Sequence, residues 1–139
     1  MPEYAFDNLE EKNAAENIWP IVKDSRYILL TGRLGSGKTT LVRNIAFLLG
    51  VSDIVSSPTF SIHNNYSAGA FKILHSDLYR LKSVIELEQT GFFELLESAD
   101  YVFVEWADLF NIKEMLRRYA EIRITKTGEK GRQYDIKVV

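Results

Sequence analysis

The stretch GRLGSGKTT, from Gly32 to Thr40, has the residue types and spacing for phosphate chemistry. The pattern Gly-x-x-x-x-Gly-Lys-Thr is met by Gly32, Gly37, Lys38 and Thr39. Glycines let the backbone curl so that successive N–H groups converge on phosphate oxygens. The positive end of a following helix dipole adds attraction. The candidate cradle is Leu34, Gly35, Ser36, Gly37, Lys38, Thr39 and Thr40. Lys38 is placed to reach the β- and γ-phosphates, and Thr39 to offer its hydroxyl to Mg²⁺. The bland alternative is a glycine-rich turn before a helix. An apolar run before the loop and an amphipathic one after it favour nucleotide binding.

Two acids stand where strands should end, Asp77 in ILHSD and Glu105 in VFVEW. Ligands of open α/β sheets sit at the carboxyl ends of parallel strands. One acid is needed there to hold Mg²⁺, directly or through water, and a second can orient or deprotonate water. Glu105 is the preferred Mg²⁺ ligand, because its strand is the more uniformly apolar; Asp77 could equally open a helical turn. Thr59, in SSPTF, is a candidate γ-phosphate sensor, although Ser and Pro alone predict a turn. Trp106 follows Glu105, so strand alternation sends it to the opposite face unless the strand has ended. By pattern alone the core is favoured over the pocket wall. Arg80 could contact phosphate, a partner or only solvent. His63 and His75 have no visible partners and read as structural or solvent-facing.

Several elements must position these groups. EYAF reads as a short strand and DNLEEKNAAENIW as a helix, with Asp7 as N-cap, Glu10 three places on and Pro20 bending or ending it. RYILLTG reads as a buried strand. KTTLVRNIAFLLG reads as a helix with Val42, Ile45, Ala46 and Leu49 inward and Gly50 closing it. SSPTFSIHNNY is loop and then extended, and AFKILHSD is a strand. VIELEQTGFFELLESA is one helix, DYVFVEW a strand, and LFNIKEMLRRYA a last helix with Arg117 and Arg118 on a solvated face. EIRIT and QYDIKV alternate, joined by KTGEKGR, as an antiparallel hairpin does. The hairpin either extends the main sheet or packs as a flap. The expected architecture is α/β, one P-loop NTPase domain over residues 1–139, with a mostly parallel central sheet flanked by helices.

The totals bound the function. The 139 residues are 46% hydrophobic and 26% charged, an ordinary globular balance. Without cysteine, disulfides and thiolate metal sites are excluded. A net charge of −2 argues against autonomous nucleic-acid binding. No signal peptide or membrane span is expected, and a cytoplasmic location is the default.

LTGRLGSGKTTLVR, SSPTFSIHNNY, HSDLYRL, GFFELL and VFVEWADL occur in the order and spacing of the TsaE (YjeE) family. The chain resembles these small bacterial P-loop ATPases from about Tyr27 to Asp108. Gly131 and Arg132 look like the family's last hairpin. The resemblance implies ATP rather than GTP, Mg²⁺ on Thr39 and Glu105, and a role in activity for Asp77 and Trp106. It implies a switch role for Thr59 and moves Trp106 toward the site; Arg132 joins the expected nucleotide-binding set. It also implies partners, TsaB and TsaD, whose complex transfers a threonylcarbamoyl group to tRNA. Hydrolysis, slow until partners complete the site, would drive or reset that complex, with tRNA met only indirectly. The chain departs from the family pattern at Arg33, Ser36, Ser76 and Ala107. Arg33 alters charge at the site rim and so bears on partner affinity.

Two rivals remain. A small-molecule kinase would need an arginine-bearing lid, for which the helix around Arg117 and Arg118 is the only candidate. A GTP switch would carry D-x-x-G and N-K-x-D, and neither string occurs.

Overall fold

The computed structural model describes residues 2–51 and 62–139. Strands β1 (Glu3–Glu10), β2 (Tyr27–Thr31), β3 (His63–Ala68), β4 (Phe71–Asp77), β5 (Tyr101–Glu105), β6 (Ala120–Lys126) and β7 (Gly131–Val138) share one sheet. Their order is β1-β7-β6-β2-β5-β4-β3. Helices α1 (Glu11–Val22) and α2 (Lys38–Leu49) pack on one face; α3 (Val84–Gln89) and α4 (Phe92–Ser98) pack on the other.

The central strands explain their own placement. In β2, Ile28 and Leu30 join the α1/α2 core while Leu29 joins the opposite one, so both faces are buried. β5 divides in the same way, with Phe103 on the first face and Val102 and Val104 on the second. β2 pairs in parallel with β5 and β6, and β4 with β5. The outer pairs β1–β7, β3–β4 and β6–β7 are antiparallel. The sheet is therefore mixed, with a parallel centre, rather than mostly parallel. The hairpin extends it: β6 joins β2, and β7 carries β1 at the edge.

Three helix expectations change. α1 starts at Glu11 without a side-chain cap, and Asp7 lies inside β1. The β1 register slips between Phe6 and Leu9, where Asn8 takes φ +51°, a bulge that period-two reading does not see. Pro20 does not end α1, which runs on to Val22, two residues further. The helix expected over residues 84–99 is two, broken at Thr90–Gly91, where Gly91 has φ +81°. The last helix is replaced by two short 3₁₀ turns, Ala107–Phe110 and Ile112–Met115. Asn111 between them has φ +50°, which a continuous helix does not allow. Arg117 and Arg118 are exposed, as expected, but not helical. Among the described residues, no helix is long and apolar enough to cross a membrane.

Candidate active site at the carboxyl ends of β2, β4 and β5

The loop between β2 and α2 turns through three glycines with positive φ, Gly32, Gly35 and Gly37. At Gly32 the demand is steric as well: an added Cβ would lie 2.6 Å from both the Ile124 carbonyl and Ser36 Oγ. The loop is thus pressed against β6. α2 begins at Lys38 immediately after Gly37.

A cavity of about 260 Å³ opens over this loop. Leu34, Gly35, Gly37, Lys38, Thr39, Thr40, Asp77, Glu105 and Trp106 line it, and Glu11 joins them from α1. Ser36 is buried beneath the loop instead, and its Oγ has no partner among the described residues. Thr59 lies outside the described residues. Arg132 does not line this cavity; it is 5% exposed, behind the loop, with Nε donating to the Ser36 carbonyl at 2.8 Å.

Lys38 is only 5% exposed. Its Nζ donates to the carbonyls of Gly32 (2.6 Å) and Arg33 (3.0 Å) and sits 4.5 Å from the Trp106 ring centre. Burial lowers its pKa, against the opposing pull of Glu105, Asp77 and Asp108. Thr39 Oγ1 donates to Glu105 at 2.9 and 3.1 Å. Glu105 is 2% exposed and also accepts from His75 Nε2 at 2.5 Å. His75 Nδ1 is buried, with no partner among the described residues. Asp77 is half-buried and accepts from the Tyr79 amide at 3.1 Å. Burial raises its pKa, with the Glu105 charge adding to the rise.

The rest of the candidate set divides clearly. Trp106 escapes strand alternation because β5 has ended: its φ is +62°, and the reversed backbone brings its ring beside Lys38. Its other neighbour is Tyr79, with ring centres 4.9 Å apart. His75 does have a partner, contrary to expectation, and it is the site carboxylate. The signal was available, since His75 and Asp77 are two apart on one strand and so share a face. Glu11 and Tyr79 carried no comparable signal. His63 is structural: it sits 2.7 Å from Ser76 Oγ and 2.8 Å from Thr90 Oγ1, and stacks on Phe92. Ser76, one of the departures from the family pattern, thus has a local use. Arg80 is exposed.

The arrangement has the donors of a phosphate site. A lysine and a helix start face a buried carboxylate already in contact with a threonine hydroxyl. Hard oxygen ligands of this kind suit Mg²⁺, which takes few protein ligands and relies on substrate phosphates for others. The sequence model of the family described as "Threonylcarbamoyl adenosine biosynthesis protein TsaE" matches residues 7–134. The chain belongs to the TsaE family. A relative from Bacillus subtilis (strain 168), named tRNA threonylcarbamoyladenosine biosynthesis protein TsaE, is 33% identical over 124 residues, covering 89% of this chain and 77% of that one. A protein of the same name from Rickettsia conorii is 38% identical over 108 residues, 77% of this chain. The match spans 60% of that protein's length. The crystal structure of Bacillus subtilis YdiB superposes with a TM-score of 0.75 at 25% identity, covering 99% of this chain and 86% of that one. The YdiB structure supports the same α/β architecture.

Proposed function

We propose that this TsaE-family chain is a cytoplasmic Mg²⁺-dependent ATPase that drives or resets the TsaB–TsaD complex during threonylcarbamoyladenosine biosynthesis on tRNA. The observation that carries this reading is the meeting of Lys38, Thr39, Asp77 and Glu105 in one cavity over a glycine-rich loop. The loop amides and Lys38 would hold the phosphates, and Lys38 would neutralise charge that grows on them during transfer. Thr39 and Glu105 would hold Mg²⁺, which supplies charge neutralisation at the phosphates.

The two acids are suited to different roles. Glu105 is tied by Thr39 and His75, so its oxygens are committed to position. Asp77 has one backbone bond and a raised pKa, which makes it the better acceptor of a proton from attacking water. Trp106 walls the cavity, with the Tyr79 ring packed beside it.

The test incubates the purified chain with γ-labelled ATP and Mg²⁺, alone and with TsaB and TsaD. Label released as inorganic phosphate, faster with the partners, is expected. Label on a metabolite supports a kinase and sinks the ATPase. Deletion of the gene, with complementation by wild type or Lys38→Ala, tests the pathway. Mass spectrometry of bulk tRNA should show threonylcarbamoyladenosine lost and restored only by wild type; unchanged modification refutes the role.

A further inference from the structure

Arg132 is a buried guanidinium with an unusual number of commitments. Its Nε donates to the Ser36 carbonyl at 2.8 Å. Its Nη1 donates to the carbonyls of Gly131 (2.9 Å), Gly128 (3.2 Å) and Glu129 (3.3 Å) in the β6–β7 turn. Its Nη2 is ion-paired with Glu11, the first residue of α1. One side chain thus joins the phosphate loop, the first helix and the last hairpin. The planar fork of arginine allows this, and the single ammonium of lysine does not.

The bond to Ser36 has a geometric consequence. The Ser36 carbonyl and the Gly37 N–H belong to one trans peptide plane, in which they point in opposite directions. Holding the carbonyl outward against Arg132 therefore turns the Gly37 N–H toward the cavity that Gly37 lines. Glu11 closes over the same peptide. A Cβ added to Gly37 would lie 3.4 Å from its carboxylate.

We infer that Arg132 is a positioning residue of the nucleotide site, which presets the Ser36–Gly37 peptide so that the Gly37 amide faces a phosphate oxygen, with Glu11 holding the guanidinium in place. The inference rests on the proposed nucleotide site. Arg132 touches no phosphate itself and acts through the loop backbone, by sparing the site the ordering that binding would otherwise require.

The experiment compares the full chain with Arg132→Lys and Arg132→Met, using Arg26→Lys as control. Arg26 donates to the carbonyls of Ala99, Leu96 and Glu97 at the end of α4, away from the loop. ADP affinity is measured by calorimetry in EDTA, below the Tm of each variant. Both Arg132 variants are expected to bind ADP about tenfold more weakly, and Arg26→Lys to bind as wild type while melting lower. In ligand-free protein, the Gly37 amide resonance is expected to move in Arg132→Lys and stay in Arg26→Lys. If Arg132→Met does not fold, the lysine variant carries the test. ADP bound by Arg132→Lys as tightly as by wild type, or an unmoved Gly37 resonance, overturns the inference. Wild-type protein that binds no ADP overturns the nucleotide reading instead, and the Gly37 resonance still decides the role of Arg132 in setting the loop.

Discussion

Glu105 and Asp77 lie at register-paired positions of adjacent strands, yet their surroundings differ. Glu105 is held from two sides, so replacing it by Gln keeps shape and partners while removing the charge that Mg²⁺ would need. Glu105→Gln is expected to lose Mg²⁺-dependent hydrolysis about 100-fold and to keep nucleotide binding in EDTA, a split read by phosphate release against calorimetry. Equal loss of both would count against the metal role. For Asp77 the folded state raises the pKa, so its contribution to stability is greatest below the unfolded carboxylate pKa, about 3.9, and is lost as pH rises through the folded value. Ionised Asp77 is thus a cost in the ligand-free protein at neutral pH. Asp77→Asn is expected to raise the Tm at pH 7, with the gain vanishing in melts near pH 3, while hydrolysis falls. The residue types of the candidate site were legible before the fold, because its glycines, lysine, threonine and acids stand in short contiguous segments. The environments were not: that Arg132 reaches Ser36 across 96 residues depends on distant chain segments coming together.

Elements with a strong apolar period were also readable. β2, β5 and α2 stand where their patterns place them, since burial on one stripe or on both faces leaves few alternatives. The misread ones turn on single backbone states. Gly91, Asn111 and Asn8 adopt positive φ and cut what pattern alone joins or caps. Pro20 shows the opposite failure. A proline in a helix interior costs about 3 kcal/mol relative to alanine, yet α1 continues through it, held by Ala14, Ala15, Ile18 and Val22 in the core. Pro20 is exposed, so Pro20→Ala removes the penalty without opening a cavity. Allowing for the chain stiffness that proline gives the unfolded state, the gain should be about 2 kcal/mol, read as a higher urea midpoint. No gain would mean that the proline is accommodated without strain.

At the scale of the whole molecule, the last strand carries the first. β7 pairs with both β6 and β1, and Tyr134 and Ile136 from it fill the α1/α2 core. A chain ending at Lys126 is therefore expected to lose the fold as a unit. Circular dichroism and amide dispersion should collapse together, and ADP binding with them; a folded, ADP-binding remnant would make the hairpin an appendage. The choice between a hairpin that extends the main sheet and one that packs as a flap marks the limit of reading along the chain. Alternation in EIRIT and QYDIKV says that two strands exist and which faces are apolar, because side-chain period is a local property. It does not say which neighbours those strands take. The glycine-rich loop, its helix and the likeness to the TsaE family follow from contiguous residues, whose spacing is set by the covalent chain. The mixed sheet, the turn of Trp106 onto Lys38 and the grip of Arg132 on the loop arise from contacts between distant segments, which only packing brings within hydrogen-bond range.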